Sequence, residues 1–162
     1  MRIFSGRLKN PPIGIRVSRS ASKRIHSAAR LADPRETGGL LLGWWQDGSI
    51  VIDSVIVLAD NGATGTSWTR YEDQAQERLD TVLDVNGDPY LGYVGDWHSH
   101  PAPVGASHTD LRSLTRSSKQ YQHPLALVIR LSDGTLRPYV AKRGKLRPAY
   151  LASSADSTSE DL

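Results

Sequence analysis

The sequence predicts an α/β or α+β domain in which a single mixed β-sheet is flanked by helices. Short runs of alternating or continuous apolar residues, typical of strands, are interspersed with longer runs of helical periodicity. Their order along the 162 residues is β-α-β-β-α-β-α-β-β, which favours one sheet with helices packed against it. We find no internal repeat or linker and therefore expect one domain, residues 1–152. The polar segment 153–162 is expected to be a disordered tail.

The first predicted elements are a strand and a helix. Residues Ile13–Arg19 alternate apolar and polar side chains, as a half-buried strand does. Ser20 or Ser22 is suited to cap a helix that runs to about Ala32, before Pro34. The side chains expected on its apolar face are Ile25, Ala28, Ala29 and Leu31.

A hairpin follows. Residues Gly38–Trp45 form an apolar run typical of a buried strand, and Asp47-Gly48 is a hairpin turn signal. The Ile- and Val-rich residues Ser49–Ala59 supply the returning strand. Residues Asn61–Thr69 are then expected to form a Gly/Thr/Ser loop. The loop contains Trp68, and because binding residues are often found on loops, Trp68 is a candidate for substrate contact.

The second half repeats this alternation of helices and strands. Residues Tyr71–Val85 predict a helix, whose expected inward side chains are Ala75, Leu79, Val82 and Leu83. Residues Tyr90–His98 predict a strand with a polar end, and another helix begins near Ser107. The apolar run Pro124–Leu131 is typical of a central strand, and a Ser-Asp-Gly turn leads into a last strand, Thr135–Lys142.

Composition limits the possible functions. The chain has no cysteine, which excludes disulfides and thiolate metal ligands, so a transition metal would need His and carboxylate ligands. Net charge is +3, with 20 Lys and Arg against 17 Asp and Glu. Aromatic residues are not interleaved with the basic stretches, so nucleic acid is not favoured as a partner. No apolar run has the length of a membrane span or a signal peptide, and a cytoplasmic location is expected.

The most informative stretch is Gly95–Pro101, which contains His98 and His100. Two histidines separated by one residue at the end of a strand point their rings to the same side. Pro101 ends the strand pairing, so the histidines should lie where the sheet opens to solvent. This is the spacing that two imidazoles need to share one metal ion.

Asp110 follows in Ser107-His108-Thr109-Asp110. The pattern is also a helix start, in which Ser107 caps the helix and Asp110 favours the helix dipole. Directly after a His-x-His pair, however, Asp110 completes a three-ligand set that leaves a fourth position for water, as in catalytic zinc sites. Both roles are compatible with one geometry. His108, which is adjacent, should point away from Asp110.

A zinc-bound water needs a general base, and Glu36 is the best candidate. It lies between a terminated helix and an apolar strand, immediately before Thr37 and the Gly38-Gly39 pair that permits close backbone approach. The alternative is that Glu36 is an ordinary surface carboxylate of a loop. Asp96, two residues before His98, could orient a ligand imidazole or be a solvated strand-end residue.

Together these residues resemble the JAMM motif of the JAB1/MPN/Mov34 metalloproteases. The matching pieces are the Glu36 segment through Gly43, then His98-Ser99-His100-Pro101, and Ser107 with Asp110. The resemblance implies an MPN/JAB-like, cytidine-deaminase-like architecture. It implies one Zn²⁺ held by His98, His100 and Asp110. It also implies that Glu36 activates water and that Ser107 stabilises the oxyanion.

Members of that family hydrolyse the bond after the C-terminal residue of ubiquitin or ubiquitin-like proteins. The expected partners are therefore a ubiquitin-like protein, its conjugates and its conjugation enzymes. The compact chain resembles stand-alone bacterial members, which are often encoded in antiphage systems. Ser99 and Trp68 are candidate substrate-binding residues. The loop Pro101–Ala106 is one residue shorter than in many members. The position of the Ser107 hydroxyl relative to the metal is therefore expected to differ from that in those members.

Two other functions remain open on the sequence. A non-catalytic MPN-type scaffold would normally lack some of the metal ligands, and here none is missing. A nucleic-acid-processing branch of the same fold carries a similar His-x-His-Pro segment. Metal content separates the scaffold from the enzymes, and cleavage of ubiquitin-like fusions against DNA separates the two enzymes.

Overall fold

The computed structural model describes residues 10–58 and 72–153. The predicted Trp68 loop, the basic residues before Asn10 and the tail after Ser153 lie outside the described residues. Within these two ranges there are three helices, namely α1 (Arg19–Ala32), α2 (Glu72–Asn86) and α3 (His108–Ser118). The strands are β1 (Ile13–Val17), β2 (Gly38–Gln46), β3 (Ser49–Leu58), β4 (Gly92–Ser99), β5 (Leu125–Arg130), β6 (Leu136–Lys142), β7 (Lys145–Arg147) and β8 (Ala149–Leu151).

All eight strands form one sheet, in the order β7-β6-β5-β4-β2-β3-β1-β8. The sheet is mixed, because β4 pairs with β5 in parallel while β2 pairs with both β3 and β4 in antiparallel fashion. The predicted fold class is confirmed. The prediction that the apolar run after Pro124 is an interior strand is also confirmed, since β5 lies between β4 and β6 and is almost wholly buried.

The helices cover both faces of the sheet. Alternate residues of one strand face opposite sides, and in β2 Leu41 packs in the cluster that contains Ile25 of α1. Its neighbours Leu40 and Leu42 pack instead in the cluster that contains Ala75 of α2. A third cluster places α3 over β5. Among the described residues, no helix has the length and apolar character needed to cross a bilayer.

The predicted start and inner face of α1 need correction. The cap is Ser18, not Ser20 or Ser22: its Oγ accepts a hydrogen bond from the Ala21 amide at 3.1 Å. The same hydroxyl donates to the Asp53 carbonyl of β3 at 2.6 Å, a contact that local sequence does not reveal. Leu31 is 89% exposed rather than inward, because at 100° per residue it lies on the side of the helix opposite Ala29.

Two further differences concern strands. Strand β4 begins at Gly92 rather than Tyr90, and the Tyr90 side chain is exposed. The short strands β7 and β8 were not predicted, because three residues carry no detectable periodicity. Strand β8 pairs in parallel with β1 at the edge of the sheet, which only the folded chain brings about.

A bulge in β4 decides which way the histidines face. Leu41 of β2 pairs with Gly95 and Leu42 pairs with Tyr93, so Val94 is the extra residue. Val94 packs in the same cluster as Ile25 of α1, whereas Tyr93 packs on the faces covered by α2 and α3. The bulge therefore changes the alternation ahead of His98 and directs His98 toward the α3 side.

Next to the histidines, Trp97 crosses the neighbouring strand β2. Trp97 is opposite Gly39, and its indole N–H donates to the Ile56 carbonyl of β3 at 3.2 Å, two strands away. A Cβ at Gly39 would overlap the Ile56 carbonyl oxygen and would lie 3.0 Å from the Trp97 indole nitrogen. Glycine at this position therefore lets one fully buried side chain tie three strands together.

This crossing predicts that Gly39→Ala destabilises the fold. The added methyl group must displace β3 or Trp97, and we expect a loss of at least about 2 kcal/mol in the free energy of unfolding, measured by chemical denaturation. The control is Gly92→Ala, where an added Cβ meets no atom within 4 Å and no change of similar size is expected. Equal stability of the Gly39 variant and the unmodified protein would contradict the argument.

Candidate active site

The predicted site residues come from three parts of the fold and meet at one edge of the sheet. His98 lies in β4 and His100 directly follows it, while Glu36 precedes β2, where Gly38 pairs with His98. Asp110 lies in the first turn of α3. Glu36, His98 and His100 are all buried, with 7–8% of each residue exposed.

The two imidazoles and the Asp110 carboxylate are in direct contact. The His98 and His100 rings lie 4.9 Å apart, edge to face. Asp110 Oδ1 is 3.3 Å from His98 Nε2, and Asp110 Oδ2 is 3.6 Å from His100 Nε2. Both histidines therefore present the Nε2 atom to the same carboxylate, as the period-two argument predicts for their rings.

The tautomer of His100 follows from its other nitrogen. His100 Nδ1 lies 2.9 Å from the Val104 carbonyl oxygen. A carbonyl only accepts hydrogen bonds, so Nδ1 carries the proton and, in the neutral ring, Nε2 keeps its lone pair. This is the arrangement by which a backbone carbonyl orients a metal-binding imidazole. Val104 belongs to the loop between His100 and Ser107, so this loop helps to orient the ring.

Ser107 and Asp110 form a reciprocal cap at the start of α3. The Asp110 amide donates to Ser107 Oγ at 3.1 Å, and the Ser107 amide donates to Asp110 Oδ2 at 2.7 Å. The helix-start interpretation is thus confirmed, and the same cap holds the carboxylate against the histidines. Burial raises the pKa of Asp110, but hydrogen bonds and charge from His98, with hydrogen bonds from Ser107, lower it to about 2.

The pKa of Glu36 is shifted in the opposite direction to the pKa of Asp110. Its Oε1 is 3.8 Å from His100 Nε2. Burial raises the pKa of this carboxyl group, and nearby Asp110 also raises it, while His98 and His100 oppose the increase. The interpretation of Glu36 as a solvated surface carboxylate is wrong, because only 8% of the residue is exposed.

Ser99 fixes the backbone beside Glu36. The Thr37 amide donates to Ser99 Oγ at 3.0 Å, and the Ser99 amide donates to the Thr37 carbonyl at 2.8 Å. These contacts are buried and join the residue after Glu36 to the residue between the histidines. Substrate binding by Ser99 stays a prediction, and the described contacts of its side chain are with Thr37.

This donor set fits a divalent transition metal. Glu36, His98 and His100 each offer one ligand atom, and these atoms lie within 4.8 Å of one another. The Asp110 oxygens lie closer still to the two Nε2 atoms. Two imidazoles with one carboxylate are ligands that zinc takes in hydrolytic sites. Two carboxylates, Glu36 and Asp110, are therefore close enough to the pair of histidines to complete a metal-binding set.

The remaining predicted residues surround this centre. Asp96 accepts a hydrogen bond from the Tyr93 hydroxyl at 3.1 Å, and both line a cleft with His98 and Asp110. A role for Asp96 in orienting a ligand imidazole stays a prediction. His108 is exposed at the start of α3. Trp68 lies outside the described residues.

Sequence reasoning missed one contact that supports the site. The Tyr139 hydroxyl of β6 accepts a hydrogen bond from the Ala106 amide at 2.9 Å, and a Cβ at Gly105 would overlap that hydroxyl. Tyr139 therefore holds the loop just before Ser107. Nothing in the local pattern of a strand tyrosine indicates this, although the small residues Gly105 and Ala106 are a weak signal of close approach.

The chain is similar to a known protein family and to named relatives. Residues 18–141 match the family model described as prokaryotic homologs of the JAB domain. A "Probable metalloprotease y4qB" from Sinorhizobium fredii is 29% identical over 61% of this chain and 63% of the relative. A "CD-NTase/cGAS isopeptidase" from Enterobacter hormaechei is 28% identical over 70% of this chain and 65% of the relative. The chain thus spans less than two thirds of the length of either relative.

A solved structure gives the same fold. The solution structure of protein DSY2949 from Desulfitobacterium hafniense aligns with a TM-score of 0.58 at 21% identity, over 85% of this chain and 92% of that one. At this identity the likeness concerns the fold alone. The family match covers most of the sheet, and all the candidate site residues from Glu36 to Asp110 lie within residues 18–141. The chain therefore belongs to the family of prokaryotic homologs of the JAB domain.

Proposed function

We propose that this protein is a zinc-dependent isopeptidase or peptidase that hydrolyses the bond after the C-terminal residue of a ubiquitin-like protein. The observation that carries the proposal is the convergence of Glu36, His98, His100 and Asp110 from three elements around one point. Relatives named as a metalloprotease and an isopeptidase support hydrolysis of amide bonds.

Within the site, we assign His98, His100 and Asp110 as ligands and Glu36 as the base. Asp110 lies nearer the two Nε2 atoms, and its low pKa keeps it ionised, as a metal ligand must be. The raised pKa of Glu36 moves it toward the range in which a carboxylate can take up and return a proton. The two carboxylates therefore divide the two tasks.

The chemistry follows from these positions. Zinc, when bound, lowers the pKa of a water molecule to about 7. Glu36 takes the proton from the attacking water and delivers it to the leaving amine. The Ser107 hydroxyl, at the start of α3, donates a hydrogen bond to the negative charge that develops on the substrate carbonyl oxygen. The reciprocal cap fixes Ser107 and Asp110 together, so the oxyanion donor and the ligand move as one unit.

Access to the site suggests how the substrate binds. A cleft of about 650 Å³ leads to His98 and Asp110 and passes along Leu114 of α3 and Leu127 of β5. An extended C-terminal tail with small residues fits such a cleft, because bulky side chains would hold the scissile carbonyl away from the metal. We infer that the folded body of the partner adds most of the affinity, through the predicted loop that contains Trp68 and through the basic residues before Asn10, which are Arg2, Arg7 and Lys9.

The ligand assignment predicts metal content. The purified protein should hold about one zinc per chain, measured by atomic emission. His98→Ala/His100→Ala and Asp110→Asn should lose it, although Asn at position 110 can still accept the capping hydrogen bond from Ser107. His108→Ala, at an exposed position two residues away, is the matched control and should keep the zinc. Stoichiometric zinc in the double histidine variant would refute the site.

The base assignment predicts a separation of binding from turnover. Glu36→Gln keeps the size of the side chain but cannot take up a proton. Zinc should remain, and kcat should fall by about 10²- to 10⁴-fold. Loss of zinc in this variant would show instead that Glu36 is the carboxylate ligand. Full activity would mean that another group activates the water.

The substrate assignment predicts a strong preference for a tail carried on its folded domain. Two substrates with the same C-terminal tail are compared, one a free peptide and one a ubiquitin-like fusion. We expect a much higher kcat/KM for the fusion, and Trp68→Ala should reduce that advantage while cleavage of the free peptide stays unchanged. Equal cleavage of both substrates would identify a general peptidase and remove the ubiquitin-like partner.

A further inference from the structure

A second cavity lies beside the site and is lined by the end of α1, whereas the large cleft is lined by α3. It has a volume of about 310 Å³ and is formed by the end of α1 with the segment before β2, by the end of β4 with the two residues that follow it, and by the end of β5. Its lining includes Ser99, His100 and Pro101, and three arginines, Arg30, Arg35 and Arg130. Because His100 belongs to both the cavity and the metal site, a group bound in the cavity lies close to the reacting atoms.

The three arginines carry positive charge that Asp33, which lines the same cavity, offsets only in part. In the ranges 10–58 and 72–153, none of them has a carboxylate oxygen within 4.0 Å, although Asp33 also lines the cavity. Three guanidinium groups around one small cavity repel each other unless an anion binds among them. The cluster therefore has the charge of an anion-binding site.

Arg130 is held in place by a neutral partner. Its Nε donates to His26 Nδ1 of α1 at 3.2 Å, which requires that this nitrogen be unprotonated. Burial lowers the pKa of His26, and the charges of Arg130 and Arg30 lower it further. His26 thus positions the guanidinium without cancelling its charge, whereas a carboxylate there would have neutralised it.

The charged side chains of the large cleft along α3 are mainly acidic. The charged residues that line the large cleft, among those the structure describes, are the carboxylates Glu72, Asp96 and Asp110 and one cation, Arg116. Bound zinc would offset the charge of Asp110, whereas among the described residues the three arginines outnumber Asp33, the one carboxylate that lines their cavity, and attract an anionic group of a substrate. A peptide that crosses the site is therefore oriented by charge as well as by shape.

We propose that the cavity of Arg30, Arg35 and Arg130 binds a substrate carboxylate located within a residue or two of the scissile bond. The carboxylate is either an acidic side chain or a free C-terminus. Arginine suits this ligand because its planar fork binds both carboxylate oxygens. The assignment rests on the proposed function in that it treats the peptide as a substrate, and it adds a preference for acidic sequence at one side of the bond.

The test measures binding by the zinc-loaded full chain without turnover. The probes are acetyl-Gly-Gly-Glu-amide, acetyl-Gly-Gly-Gly with a free C-terminus, and the neutral acetyl-Gly-Gly-Gln-amide. Titrations follow the arginine Nε–H signals by NMR. We expect at least one acidic probe to bind about tenfold more tightly than the neutral one at low salt, with the difference shrinking as salt increases. The two acidic probes distinguish a side chain from a terminus.

Variants tie that preference to the cavity. Arg35→Gln and Arg130→Gln should each reduce it several-fold, and Arg35 is exposed, so its replacement should not impair folding. Arg24→Gln, at an exposed position of α1 outside the cavity, is the matched control and should leave the preference intact. A preference that survives in both cavity variants, and therefore arises at the metal, would overturn the proposal.

Two further outcomes are informative. Inorganic phosphate that binds to the arginines more tightly than either carboxylate probe would overturn the carboxylate assignment in favour of a phosphoryl group. Arginine-dependent carboxylate binding by a protein that hydrolyses no peptide or isopeptide would support the cavity and count against the proposed hydrolysis. The two proposals can therefore fail separately.

Discussion

The antiparallel pairing of β2 with β4 is the constraint on which the site depends. Because Gly38 lies opposite His98, the chain that enters β2 carries Glu36 to the two histidines. The paired hydrogen bonds between Thr37 and Ser99 extend this register to the segment beside Glu36. A shift of one residue would reverse the faces of every side chain in the strand and separate the carboxylate from the imidazoles. The backbone contacts that pair β2 with β4 therefore both stabilise the sheet and position the candidate site residues.

The start of α3 joins the same two requirements at another point. Asp110 completes a helix cap with Ser107, which satisfies amides that would otherwise lack partners, and its carboxylate also faces His98 and His100. A cap is a geometrically strict arrangement, so the carboxylate is oriented before any ligand binds. The Val104 carbonyl does the same for His100 from within the connecting loop. Little reorganisation is then needed when a metal enters.

Electrostatics divides the site into parts with different roles. Hydrogen bonds and charge from His98 hold the pKa of Asp110 at about 2, whereas burial raises the pKa of Glu36, although both carboxylates lie near the same pair of histidines. Beyond them, a cleft with carboxylates lies along α3 and an arginine-lined cavity lies at the end of α1. A substrate that spans both would be selected by charge on each side of the reacting bond.

The sequence by itself determined the order of the main elements and the candidate ligands. Apolar periodicity, the His98-x-His100-Pro pattern and the Ser107-x-x-Asp110 cap are local, and short-range sterics and hydrogen bonding produce them wherever they occur. Only the tertiary structure decided how they face each other. The bulge at Val94 turns His98 toward α3, and Ser18 replaces later serines as a cap because β3 offers it a partner. The arginine cavity joins three distant segments, so its charge was invisible until long-range strand pairing brought them together.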